Sequence, residues 1–257
     1  MAYSSSRQLR SKGPCMNPTA PDPLKGAHVV VFGGATGIGL ATATAAHARG
    51  ARVTLVGRTP AKLAAAAAPL GARTAIADIT DRRAVEAVFV ESDPIDHLVI
   101  TAGALGGGPI AVTDPDVLLA ALQERIAGPL YAIKAALPLM SPTGSIVLTG
   151  GQFSDRPSAG FSVVAAAVRG IEALAQALAL ELKPIRVNVI APGFVDTPLF
   201  NVMGEAARNG LLVQAARSLP GGRIGQADEV AQAILLLLVN GHMNGEVLHV
   251  DGGGRLV

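Results

Sequence analysis

The stretch Gly33-Gly34-Ala35-Thr36-Gly37-Ile38-Gly39 decides the fold. Before it stands His28-Val29-Val30-Val31-Phe32, a run that predicts a strand; after it, Ile38 to Arg49 predicts a helix ended by Gly50. Glycines between a strand and a helix permit a tight turn and let the backbone come close to a diphosphate. The helix start at Ile38 would turn amide hydrogens and a partial positive charge toward that anion. A glycine-rich turn alone says little. Its place between the first strand and the first helix makes it informative.

Outward from the loop, short apolar runs alternate with Ala-rich helical stretches. Strands are predicted at Arg52 to Val56, Arg73 to Ala77, His97 to Thr101, Ser145 to Thr149, Ile185 to Ile190 and Glu246 to Val250. Helices are predicted at Pro60 to Ala68, Arg82 to Val90, Asp116 to Leu137, Ser162 to Leu182 and Glu229 to Val239. The strands are apolar almost throughout rather than alternating, as expected when helices cover both faces of a parallel sheet. The pattern predicts an α/β fold: a Rossmann-type, doubly wound parallel sheet of about seven strands. Between Thr197 and Arg223 the pattern loosens, which suggests a helical flap over the ligand crevice or a long connection.

The chain has 257 residues, enough for one domain with a large core from residue 25 to 257. Its net charge of +2, with scattered basic residues, carries no nucleic-acid footprint. The apolar run Ala233 to Val239 is too short to span a bilayer. The one cysteine, Cys15, cannot form an intramolecular bridge, which suits a cytoplasmic setting. His28, His47, His97, His242 and His249 show no metal spacing, so no metal site is expected. Residues 1 to 24 are Ser/Pro-rich with Arg7, Arg10 and Lys12 and no acid before Asp22. They share this with a transit peptide, but read better as a disordered tail or as the result of a start placed upstream of a true Met16.

The spacing G-x-x-x-G-I-G resembles the short-chain dehydrogenase/reductase family, over about Lys25 to Leu256. Ala102-Gly103 is similar to the end of the family's Asn-Asn-Ala-Gly turn, with Ile100 and Thr101 at the asparagine places. Arg186-Val-Asn-Val-Ile-Ala-Pro-Gly193 resembles its sixth strand and cofactor loop, and Val250-Asp251-Gly252-Gly253 its carboxyl end. The resemblance implies a nicotinamide cofactor, a small-molecule substrate and a homo-oligomer, tetramer or dimer. It implies cofactor contacts from Gly33, Ala35, Thr36, Gly37, Ile38 and Gly39. Further contacts are implied from Asp78 and Ile79 (adenine), from Ala102 and Gly103, and from Pro192, Gly193, Val195 and Thr197 (nicotinamide). An acid ending the second strand would bind the free ribose hydroxyls of NAD. Here Gly57, Arg58 and Thr59 stand there, and an arginine fork can hold a 2′-phosphate, so NADP(H) is expected over NAD(H).

Four further positions depart from the family. Its tyrosine, lysine, serine and asparagine slots fall on Val164, Val168, Gly151 and Arg125. A positioned acid typically contributes about 10²–10⁴-fold to proton transfer, and valine supplies none. Three readings stay open. One is different chemistry: hydride delivery to an iminium, which yields a neutral amine and needs no acid at that step, with activated alkenes as another possibility. The second is carbonyl reduction with a relocated group, for which Arg125 and Asp155 are the candidates, in a pocket near Gly151, Gln152, Phe153 and Val164. The third is a catalytically silent NADP(H)-binding sensor or partner subunit.

Overall fold

The computed structural model describes residues 21–103 and 106–257. In chain order it has β1 (His28–Phe32), α1 (Gly37–Ala48), β2 (Arg52–Gly57), α2 (Pro60–Ala67), β3 (Arg73–Ile76), α3 (Arg82–Ala87) and β4 (Ile95–Ile100). There follow α4 (Pro115–Leu122), α5 (Gly128–Ala136), β5 (Met140–Thr149), α6 (Ser162–Glu181), β6 (Arg186–Pro192) and β7 (Val195–Asp196). The last elements are α7 (Glu205–Ser218), β8 (Gly225–Gln226), α8 (Ala227–Val239) and β9 (Val247–Val250). One seven-stranded sheet has the order β3-β2-β1-β4-β5-β6-β9, and every pairing in it is parallel. The predicted doubly wound architecture is the one observed.

Successive side chains of a strand point to opposite faces, and β1 shows what that does. Val30 and Phe32 join a core with Val85, Ile133 and Ile171, from α3, α5 and α6. Val29 and Val31 join a second core with Ala43, Leu63 and Ile234, from α1, α2 and α8. Neither face of β1 meets water, which is why its sequence does not alternate. Helix α6 is long and apolar enough to cross a bilayer by composition. That composition is accounted for here by Val168, Ile171 and Ala175, which are buried in the fold.

Two expectations change. The helix predicted from Asp116 to Leu137 is interrupted by a π-helical turn at Gln123–Ala127, a hydrogen-bonding shift that side-chain periodicity does not encode. The tail boundary at residue 24 moves inward. Leu24 is fully buried in the second core, its amide bonds the Asp22 carboxylate at 2.9 Å, and Asp22 pairs with Arg49 at 2.7 Å. The rest of the tail, with Cys15 and Met16, lies outside the described residues. Between Thr197 and Arg223 the chain forms a 3₁₀ segment, Pro198–Met203, and then α7.

The strand order reverses beside β1: β2 and β3 lie on one side, β4 on the other. A crevice opens at the carboxyl ends of strands at such a point, because the loops leaving neighbouring strands turn to opposite faces.

Candidate active site

That crevice is present, with a cavity of about 390 Å³. Its walls are the loop after β1 (Gly33, Ala35 to Gly39), the end of β2 (Gly57, Arg58, Thr59), the segment after β3 (Ala77 to Ile79) and the turn after β4 (Thr101 to Gly103). Thr197 and Pro198 close it from the segment after β7. The glycine loop is held by packing. The Gly33 and Gly34 amides both bond the Val56 carbonyl, at 2.9 and 3.2 Å. A Cβ on Gly33, where φ is +80°, would lie 2.7 Å from Thr101 Oγ1. A Cβ on Gly39 would lie 2.5 Å from the same oxygen and would also run into the Gly33 carbonyl oxygen. Gly37 has φ of +54°, a conformation that favours glycine.

The donors suit an anion. Helix α1 has Thr36 as N-cap with no side-chain cap hydrogen bond, and its first turn carries no acid. Its terminal amides therefore offer hydrogens and the positive end of the helix dipole to the crevice. The residues present fit a dinucleotide, with its diphosphate at α1. Arg58 stands at the β2 end, where its guanidinium approaches Asp78 at 3.5 Å. Burial pushes the Asp78 carboxyl up, but hydrogen bonds from the Thr80 amide and hydroxyl and the charge of Arg58 hold it below its ordinary value. Lys62, in the first turn of α2, also lines the crevice.

Most of the sequence-predicted cofactor residues meet here: Gly33, Ala35, Thr36, Gly37, Ile38, Gly39, Arg58, Thr59, Asp78, Ile79, Ala102, Gly103 and Thr197. Pro192, Gly193 and Val195 do not line it. A Cβ on Gly193 would lie 2.7 Å from Asp251 Cα, so this loop is pressed against the carboxyl end of the fold. Val195 is buried and paired with Gly225. Sequence reasoning missed Lys62, Glu124, Leu199 and Val202. Lys62 had a signal, since it lies four residues after Arg58. Glu124 had none, because its direction depends on the π turn.

The second cluster sits where β5 passes into α6. Val164 and Val168 are 1% and 2% exposed. Gly151 faces Val168 loosely: a Cβ there would lie 3.8 Å from Val168 Cγ1 and 3.9 Å from the Pro192 oxygen. Gln152 and Phe153 begin a 3₁₀ turn, and the Phe153 ring stacks on Phe161 with centroids 4.9 Å apart and 10° between planes. None of Gly151, Gln152, Phe153 and Val164 lines the cofactor crevice.

The two catalytic candidates part company. Arg125 lies in the π turn with its guanidinium against Gly103, since a Cβ there would meet Arg125 Cζ and Nη1 at 3.5 Å. Burial pulls its pKa below the ordinary value, and the charge of Glu124 opposes that. Asp155 does not reach the crevice. Its carboxylate accepts from Arg169 at 3.2 Å and pairs with His249 Nε2 at 2.9 Å. Arg169 also donates to the Ser154 carbonyl at 2.8 Å and to buried Glu172 at 3.0 Å. Asp155, named as a catalytic candidate, is thus part of a brace between α6, the loop after β5 and β9.

A family model described as enoyl-(acyl carrier protein) reductase matches residues 33–254. The chain belongs to the short-chain dehydrogenase/reductase family. The family is one of nicotinamide-dependent oxidoreductases, which accounts for the crevice. The chain is 34% identical over 236 residues to the 3-oxoacyl-[acyl-carrier-protein] reductase of Bos taurus, covering 88% of this chain and 97% of the relative. A small-chain dehydrogenase solved in complex with NADPH is similar at TM-score 0.80 and 30% identity, covering 91% of this chain and all of that one. The MalC reductase/Diels-Alderase of Malbranchea aurantiaca is similar at TM-score 0.84 and 28% identity, covering 91% and 97%.

Proposed function

We propose that this protein is an NADP(H)-dependent oxidoreductase that acts on a small organic substrate through an active site without the family's usual proton donor. Two observations carry the reading. One is a crevice with an uncapped helix start, Arg58 and Lys62. The other is the hydrocarbon wall of Val164 and Val168 beside Gly151. When bound, the cofactor supplies a hydride.

The chain's own groups set what can receive it. The α1 amides hold the diphosphate, and Arg58, Thr59 and Lys62 favour a 2′-phosphate. Val164 and Val168 exclude water and donate nothing. An iminium needs no proton at the hydride step, because the product amine is already neutral; an activated alkene is a second possibility, in which hydride addition would leave an enolate that then takes a proton from solvent. Arg125 stands beside Gly103 at the crevice edge, where it can hold a substrate carboxylate or a developing oxyanion. The similarity to a protein titled a reductase and Diels-Alderase supports chemistry outside simple carbonyl reduction.

The test is turnover of cyclic imines, activated alkenes and ketones with NADPH consumption as readout. Turnover of imines or alkenes, unchanged in Arg125→Met, supports the donor-free route. Ketone turnover lost in Arg125→Met assigns the oxyanion to that guanidinium. Saturable NADPH binding with no turnover across the panel favours the silent cofactor-binding module.

A further inference from the structure

We propose that the amino-terminal end of the sheet carries a second ligand site, one for a phosphate group, free or on a small ester. The strands are parallel, so their carboxyl ends meet at the cofactor crevice and their amino ends meet at the opposite side of the molecule. A cavity of about 450 Å³ opens there among Lys25 before β1, Asp96 and His97 of β4, Thr143 of β5, Arg186 at the start of β6 and Leu238 in the last turn of α8.

Arg186 gives the cavity its sign. It is 8% exposed. Its Nη1 donates to the Leu237 and Met243 carbonyls at 2.8 and 3.1 Å, and its Nη2 to the Leu238 carbonyl at 2.6 Å. The end of α8 thus explains where the guanidinium sits. A helix end carries only about half an elementary charge, so it offsets a full cation in part. Burial alone pulls the Arg186 pKa below its ordinary value, and among the described residues no carboxylate pairs with it. Residues 1–20 and 104–105 contain no acid that could supply one. A buried charge without a counter-ion is costly, and a bound anion removes that cost. Lys25, on the surface, and His97, 7% exposed with Nδ1 2.9 Å from Ser145 Oγ, share the wall.

Asp96 sets which anion fits. Its Oδ2 accepts from the His28 amide at 2.8 Å. A carboxylate on the wall repels an oxyanion that holds no proton and accepts a hydrogen bond from one that does. A phosphate group keeps a proton up to about pH 6, whereas sulfate keeps none there. A water takes up about 30 Å³ of liquid, so the five heavy atoms of phosphate leave room for the rest of a small ester.

The full chain is titrated by calorimetry at pH 6 and constant ionic strength with inorganic phosphate, glycerol 3-phosphate and sulfate. Saturating NADP⁺ keeps these anions out of the crevice. Phosphate or its ester should bind saturably and at least tenfold more tightly than sulfate; the tighter of the two tells a free ion from an ester. Lys25→Gln should weaken phosphate by up to about fivefold, as expected of an exposed cation. Asp96→Asn keeps an acceptor for the His28 amide and should bring phosphate and sulfate within about twofold. The thermal midpoints of both unliganded variants check that they fold. These two variants locate the ion whether or not NADP⁺ binds. No saturable binding of either phosphate compound, or equal wild-type affinity for sulfate, would overturn the proposal. So would phosphate binding that neither variant alters, which would put the ion elsewhere.

Discussion

The glycines of the phosphate loop and the glycine at the end of β5 are absent side chains for different reasons. At Gly33 and Gly39 any Cβ collides with backbone or with Thr101, so the residue type follows from packing alone. At Gly151 a Cβ meets nothing closer than 3.8 Å, so there is room for a side chain that the sequence does not supply. The cofactor end of the molecule is tightly constrained. The end of β5 is sterically permissive.

The contrast can be broken most directly at Gly39. Gly39→Ala should cost on the order of 3 kcal/mol of stability and abolish NADPH binding, read by chemical denaturation and fluorescence titration. A variant that binds normally would show that the loop yields.

Acid should act on both ends together, because one sheet carries them. Burial depresses the His97 pKa from 6.5 to about 4, and burial also lowers that of His28. A depressed histidine pKa favours the unfolded chain once that chain takes up protons. His97's contribution is therefore complete above pH 6.5 and falls away toward pH 4, by roughly 3 kcal/mol. The thermal midpoint should drop over that window, and His97→Gln should flatten the drop. Cofactor affinity surviving after the core has melted would mean the two ends are not one cooperative unit.

Arg58→Ala should weaken NADPH by about 1.5–3 kcal/mol, some ten- to a hundredfold, and leave NADH nearly unchanged. Equal losses for the two cofactors would count against a 2′-phosphate site. The smallest effect belongs to Gly151→Ala, expected to shift stability by less than about 0.5 kcal/mol. A large loss there would erase the difference between the two ends.

Much of this was legible from residue order. The loop Gly33 to Gly39 and the apolar, non-alternating strands point to a doubly wound sheet, because burial on both faces removes alternation and glycine marks close backbone approach. Arg58 after Gly57 carries the expectation of a phosphate at the end of β2, and the structure places it on the crevice. Other features were not legible. Glu124 and Arg125 are neighbours in sequence, and a regular helix would turn them about 100° apart. The π turn sets their directions, and it arises from backbone hydrogen bonding rather than from composition. Asp155 reads as a loop acid until Arg169 and His249, 14 and 94 residues away, are seen to hold it. Leu24 reads as tail until the second core closes over it.

The sequence by itself determined the fold and the cradle for a diphosphate, because both depend on local rules: side-chain period, glycine at turns and the polarity of a helix start. It also raised the expectation that Val164 and Val168 stand where the family keeps its proton donor. Only the tertiary structure decided which polar groups share a cavity, which acid is braced elsewhere and which glycine has room beside it. Those outcomes depend on distances between segments far apart in the chain, and packing sets such distances, not neighbouring residues.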